Sequence, residues 1–301
     1  MMLSSYFNND QVIHDCYFET LGLSNSKSGM KFLSFCDTSA YVDEIYNNKE
    51  IVGVICKREF MKCFVDKGLG VALSDDPRKD FFLLHNILAN DFVYNNKSTD
   101  NKIGHGCKIS KKASLDTNGI VIGNNVVIED YVRIKGPCNI GDNCIIHSGT
   151  SIGGDGYEFK RYKSDVLDVV HCGSVNIESN VIIWENSTIH KAVYPWDRTS
   201  IGKMSRIGAQ SHIDHGAKIG ECVEVCARCV ISGRADIGNY AFLGPGTIIS
   251  NRIVIGENSR VLLGSVVTKN IEKNKTVSGN FAISHDKHMY IVKENANIKL
   301  L

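Results

Sequence analysis

The chain has 301 residues, with 34 Lys and Arg against 33 Asp and Glu and a formal charge of +1. That balance excludes the clustered basic face of a nucleic-acid binder, and no apolar run approaches the roughly 20 residues that span a bilayer. The polar start SSYFNNDQ lacks the basic and apolar regions of a secretory signal, so a cytoplasmic protein without membrane insertion is expected. The eleven cysteines are scattered and read as reduced thiols serving as small apolar residues.

Residues 1–98 carry no long-period repeat. Lys31–Cys36 (KFLSFC), Ile51–Cys56 (IVGVIC) and Gly70–Leu73 (GVAL) read as strands. Asp76-Pro77 predicts a helix start, with Asp as N-cap and Pro in the first turn, and Phe81, Leu84, Ile87 and Leu88 give that helix an apolar face. A small α/β domain follows from these elements, ending at a polar linker over Tyr94–Asn101 (YNNKSTDN).

From residue 99 to 271 a six-residue period takes over. Aliphatic residues recur at Ile122, Ile128, Ile134, Ile140, Ile146 and Ile152, then at Ile177, Ile183 and Ile189. They recur again from Ile201 through Ile207, Ile213, Ile219, Val225, Ile231, Ile237, Leu243, Ile249, Ile255 and Val261 to Val267. Six fits neither a helix nor simple alternation. It fits a coil in which each hexad holds one short strand and one corner, so that three hexads close a triangular turn and residues about 18 apart stack in a parallel sheet. The aliphatic residue points inward, and the small or polar residue after it serves the corner. Repeats of this class wind left-handed, so the expected fold is mainly β: a left-handed parallel β-helix preceded by a small α/β domain. The hexads stop at Gly153–Ser174 and again at Ala192–Ser200, which reads as two loops expelled from the coil, where binding groups commonly sit. Residues 272–301 should close the open end of the coil with a strand or short helix.

Two segments carry more than the period. Ser148-Gly149-Thr150-Ser151-Ile152-Gly153-Gly154-Asp155-Gly156-Tyr157 matches the form SGTxxGxDGF, and His212-Ile213-Asp214-His215-Gly216-Ala217-Lys218-Ile219-Gly220 matches QIAHNxxIG. With Lys31-Phe32-Leu33-Ser34 standing where an SFLS element would be and Tyr41 shortly after, the chain resembles the UDP-3-O-acylglucosamine N-acyltransferases of lipid A synthesis. The resemblance runs from about Gly22 to Asp286. It implies a homotrimer with sites between neighbouring coils, His215 as the catalytic base, and an aromatic uracil pocket for which Phe32 and Tyr41 are the candidates. Three departures stand out. Arg252 occupies the place of the family's second histidine, Ile189-His190-Lys191-Ala192 replaces an IDRG segment, and the long helical extension that receives acyl carrier protein is largely missing. These departures favour a relative that N-acylates a nucleotide-linked amino sugar, UDP or dTDP, for surface polysaccharide, with acyl-CoA, acetyl-CoA above all, as donor. Acyl carrier protein and the lipid A reaction itself remain the alternative.

The chemistry agrees with a histidine base. A neutral amine attacks a thioester carbonyl, a base takes its proton, and a donor holds the oxyanion; imidazole suits the base because it titrates near neutral pH. Stacking at 18 residues places Gly233 and then Asn251 above His215, leaving a side-chain-free channel for a thioester. The next column holds Gly216, Arg234 and Arg252, and two arginines one turn apart favour an anion between them, either phosphates on the pantetheine side of the donor or, for Arg252, the oxyanion. Asp214 is expected to point elsewhere and is not assigned as an orienter. His212 is expected to line the site, and Asp155, Tyr157, Trp196 and Asp197 on the two loops are candidates for sugar contacts. No metal is expected; a metal enzyme of the carbonic anhydrase type would need His190, His212 and His215 to converge. A non-catalytic scaffold is the remaining rival, and the N-terminal domain and expelled loops argue against it.

Overall fold

The computed structural model describes residues 1–91, 94, 100–163, 165–279 and 284–297. The first unit is a five-stranded sheet of β1 (Val12–His14), β2 (Thr20–Leu21), β3 (Phe32–Cys36), β4 (Ile51–Cys56) and β5 (Gly70–Leu73) in the order β1-β5-β4-β3-β2, antiparallel only between β1 and β5. The three strands read from sequence are β3, β4 and β5, whose continuous apolar runs suit strands buried on both faces. Helices α1 (Val42–Asn47) and α2 (Met61–Val65) connect them. Helix α3 (Pro77–Leu88) begins as expected: Lys79 N donates to the Asp76 carboxylate at 3.1 Å, and Pro77 fills the first turn. Its buried face differs from the expectation at one position. Phe82 is buried and Ile87 is 62 % exposed, because the helix turns Phe81 and Phe82 together toward Phe35 of β3. Most of the linker at Tyr94–Asn101 lies outside the described residues, but Tyr94 is buried and bonded to His85 at 2.8 Å, so that residue belongs to the packed unit.

The rest is a three-sided prism of parallel strands, with faces of nine, eight and eight strands among the described residues. The 18-residue step appears directly in the pairing Ile213–Ile231–Ile249–Val267, and the inward column forms one continuous core in which Ile213, Ile231 and Ile249 are fully buried. The corners are built differently from the simple expectation. The left-handed backbone falls on the third residue after each aliphatic, as at Asn125, Asn143, Asn180, Arg234 and Arg252. The glycine directly after the aliphatic serves close stacking instead: a Cβ on Gly208 would lie 2.5 Å from the backbone N of Ala227 in the next turn. The prism also runs one strand beyond residue 271, since Thr276–Val277 pairs with Arg260–Val261. Helix α4 (His285–Asn297) follows. Among the described residues no helix is long and apolar enough to cross a membrane.

Both interruptions leave the ladder intact, with Ile152 pairing Ile189 and Ile189 pairing Ile213. The first forms an antiparallel hairpin, Phe159–Tyr162 against Asp165–Asp168. It is fastened to α3 by Asn86 Nδ2 donating to Asp168 O at 2.7 Å, Val170 N donating to Asn86 Oδ1 at 3.0 Å, and a His85 Nε2 contact to Val170 O at 2.8 Å. The second sends Val193 and Tyr194 into a core shared with Phe18, Leu21, Leu33 and Phe81 of the first unit, while Trp196 donates to Leu21 O at 2.8 Å. The two expelled loops therefore dock the α/β unit on the prism and wall off a cavity between them.

Candidate active site

The site begins where the strand His212–Ile213 ends. Ile213 points into the prism, and the corner that follows folds Asp214 back on its neighbour: Asp214 Oδ1 accepts from His215 N at 2.8 Å and from His215 Nδ1 at 2.9 Å. The same oxygen accepts from His190 Nδ1 at 3.1 Å. This corrects the expectation that Asp214 points elsewhere. Alternation separates neighbours only along a strand; at a corner a short carboxylate bonds the backbone just after it. Gly216 N donates to Thr199 Oγ1 at 2.8 Å and fixes the far side of the corner.

The other imidazole nitrogen, His215 Nε2, faces the cavity and lies 3.2 Å from Glu158 Oε2, and Glu158 also pairs with Lys160. Burial alone would lower the His215 pKa, but hydrogen bonds to Asp214 and Glu158 outweigh it and raise the imidazole to about 9. Burial would raise Glu158, yet its bonds from His215 and Lys160 pull it down to about 2. Asp214 is likewise held far below the usual carboxylate range, against its burial, by His190 and His215. His171 stacks edge-on to His215 with centroids 5.6 Å apart; burial and the neighbouring His215 push it down to about 4. Its Nδ1 bonds Val169 O, which leaves a neutral Nε2 without a partner among the described residues.

The cavity holds about 580 Å³, and of the residues singled out from the sequence it includes His215, Gly233, Arg234, Asn251, Arg252 and Tyr41. Gly233 stands directly over the histidine, where a Cβ would lie 2.6 Å from His215 Nε2. Arg234 N bonds His215 O and Arg252 N bonds Gly233 O, so the two arginines sit one turn apart. Arg234 is held 3.7 Å from Asp197 and lies over the Tyr194 ring at 5.3 Å.

Four candidates fall outside this cavity. Phe32 is wholly buried in the core of the first sheet, against Gly22, because its position alternates to the face packed on α1 and α2; Phe35 of the same strand lines the cavity instead. Asp155 pairs with Lys191 at 3.1 Å with its carboxyl 61 % exposed, and Tyr157 is 81 % exposed against Phe159, since the loop turns away from the cavity before Glu158 turns in. His212 points outward from its strand against His190, with ring centroids 4.8 Å apart. Trp196 docks the domains rather than lining the cavity, and Asp197 holds Arg234. Sequence reasoning missed Glu158, Lys160, Arg78, Phe35 and Tyr194, all of which line the cavity. The one signal that could have found any of them is that Glu158 directly follows the SGTSIGGDGY segment.

A metal group is nearest to forming among His190, His212 and Asp214, whose ligand atoms lie within 4.8 Å of one another. Asp214 stands there in place of His215, the third member expected of a metal set. Its oxygen already accepts from two imidazoles, so the arrangement is a hydrogen-bonded support for His215. Cys226 and Cys229 stand at CxxC spacing, but burial raises both thiols, and Cys229 Sγ contacts Gly244 O at 3.3 Å.

The prism, its period and its one inward column define a hexapeptide-repeat, left-handed β-helix protein. Residues 119–154 match the model of bacterial transferase hexapeptide repeats (six repeats). The chain is 34 % identical over 156 residues to a UDP-3-O-acylglucosamine N-acyltransferase of Rickettsia prowazekii, covering 52 % of this chain and 44 % of that one. It is 32 % identical over 181 residues to an acyl-[acyl-carrier-protein]–UDP-N-acetylglucosamine O-acyltransferase of Campylobacter concisus, covering 60 % and 66 %. A solved UDP-N-acetylglucosamine acyltransferase from Campylobacter jejuni shares the fold at 22 % identity, with a TM-score of 0.54 over 66 % of this chain and 75 % of that one. The chain spans about half the length of the curated relatives it matches.

Proposed function

We propose that the protein is an acyltransferase that joins an acyl group from a thioester to a UDP-linked amino sugar in the cavity between the α/β unit and the prism. The observation that carries the reading is His215: its Nε2 opens on the cavity under the bare backbone of Gly233, and Asp214 holds its Nδ1 at 2.9 Å. That is the geometry of a general base whose orientation and tautomer are set by a carboxylate. The acceptor is proposed to lie across the cavity, its nucleobase toward Phe35 and Tyr41 and its diphosphate toward Arg78, Lys160 and Arg252. The thioester runs past Gly233 and Asn251, where Arg252 is placed to meet the carbonyl oxygen.

The names of the relatives support a carrier-protein thioester and a UDP-glucosamine acceptor better than acetyl-CoA and a surface-polysaccharide role. We therefore place the carrier-protein donor first and keep acyl-CoA as its competitor. A homotrimer is proposed on the same footing. The test is direct. The purified chain is mixed with UDP-3-O-acylglucosamine and either an acyl carrier-protein thioester or acetyl-CoA, and free thiol is followed. Carrier-protein turnover should exceed that with acetyl-CoA, and His215→Ala should lower kcat by about 10²–10⁴-fold. Normal turnover in that variant would remove His215 as the base, and a mute wild type would end the acyl-transfer reading.

A further inference from the structure

Glu158 sits where an acceptor has to sit. Its Oε2 is 3.2 Å from His215 Nε2, its carboxyl is 21 % exposed, and Lys160 contacts its other oxygen. On the far side of the same ring Asp214 Oδ1 is 2.9 Å from Nδ1. Two carboxylates thus grip one imidazole from opposite ends, and a proton on His215 balances them until an acceptor arrives. A hydroxyl acceptor that reached Nε2 would take this proton's place with no charge to offer, leaving one buried carboxylate uncompensated, which is costly. An ammonium group exchanges for it charge for charge.

From this geometry we propose that Glu158 selects a protonated amine as acceptor and takes the first of its two protons. The inference rests on the acyl-transfer reading and deepens it by fixing the acceptor atom as nitrogen. A sugar amine titrates like an α-amino group, near about 8, so at neutral pH it must lose two protons where a hydroxyl loses one. The site holds two acceptors for them. The arriving ammonium displaces the His215 proton to solvent and gives its own first proton to Glu158. The freed nitrogen lone pair attacks the thioester carbonyl carbon, the C–N bond forms, and the C=O π pair moves onto oxygen. His215 Nε2 takes the second proton from nitrogen. The oxyanion collapses, the C–S bond breaks, and the departing thiolate takes that proton from His215. Amide and thiol leave, and Glu158 returns its proton to solvent. The charged groups facing this pair are Lys160 from the hairpin, Asp214 behind His215, and Arg252 and Arg78 beyond Lys160, with neutral His171 at the ring edge.

The test compares wild type, Glu158→Gln and Glu158→Asp on a UDP-linked sugar bearing an amine and on its hydroxyl counterpart, with kcat/KM measured from about pH 6 to 9.5, a range that spans the amine's titration. Wild type should prefer the amine by at least about 100-fold. Glu158→Gln should lose about 100-fold on the amine at pH ~6.5 and recover close to tenfold per pH unit toward the amine's own pKa, because deprotonation in solution then replaces the missing carboxylate. Glu158→Asp should keep the wild-type profile at a lower rate. Equal rates for wild type and Glu158→Gln at the acid end, or a loss that is the same at every pH, would overturn the role. A wild type that prefers the hydroxyl, with His215→Ala inactive, removes this inference and leaves acyl transfer standing. No thiol release with either acceptor removes both.

Discussion

At Gly233 the missing side chain is itself the requirement. A methyl group there would press on His215 Nε2 at 2.6 Å, and the imidazole could yield only by breaking its contact with Asp214 or with Glu158. Gly233→Ala should therefore lower kcat by about 100-fold or more, and the His215 resonances should show an altered titration while the melting temperature moves little. An unaltered kcat would mean that the thioester does not pass this point. His215 also leaves a mark on stability. Its folded pKa is raised to about 9 from an ordinary 6.5, so the stabilisation is complete below pH 6.5 and is lost as pH rises through 9. The shift corresponds to roughly 3 kcal/mol. Denaturant midpoints across about pH 6–10 should fall for wild type and stay flatter for His215→Gln; parallel curves would contradict the ion-pair geometry. The motif around His215 was legible as sequence, but the role of Asp214 was not, because a corner reverses the direction that alternation assigns to a neighbour.

At the scale of elements, the hairpin of the first insertion matters most. It delivers Glu158 and Lys160 to the cavity and is held to α3 by both polar groups of Asn86. Asn86→Ala removes two hydrogen bonds, each worth about 1 kcal/mol, from a segment that packs on little else. Hydrogen exchange should quicken at Phe159–Asp168, and KM for the acceptor should rise several-fold with the global melting temperature nearly constant. Unaltered exchange would show that Val169 and the His85 contact to Val170 hold the hairpin alone. The strands of the α/β unit were readable because buried strands are apolar throughout. The hairpin was readable only as an interruption, since an aperiodic segment does not tell which of its charged residues turns inward; Asp155 turns out to solvent and Glu158 turns in. Helix α3 shows the same limit, for Phe82 and Ile87 are equally apolar and only packing on Phe35 decides between them.

For the molecule as a whole, the six-residue period was enough to foretell the prism, because each turn needs one aliphatic residue per face and nothing else fills the centre. The cavity was not foretold, since it is made by the docking of two parts whose contacts lie far apart in sequence, as Trp196 on Leu21 does. That docking also divides the prism mechanically. The turns through Ile152, Ile189 and Ile201 are braced by both loops and the α/β unit, whereas the turns after Ile231 rest only on their neighbours along the stack. In a stacked repeat each turn is stabilised by its own core and its two interfaces, so damage should spread toward the free end. Ile255→Ala deletes a fully buried side chain at a cost of about 2–5 kcal/mol. Its effect should appear as early hydrogen exchange over residues 236–277, while β3, β4 and the strand His212–Ile213 keep wild-type protection. The acyl-transfer rate should then fall less than stability does, because Asp214, His215 and Glu158 all lie on the braced side and only Arg252 borders the loosened turns. Simultaneous loss of protection from Phe32 to Val277 would show instead that prism and α/β unit unfold as one cooperative body.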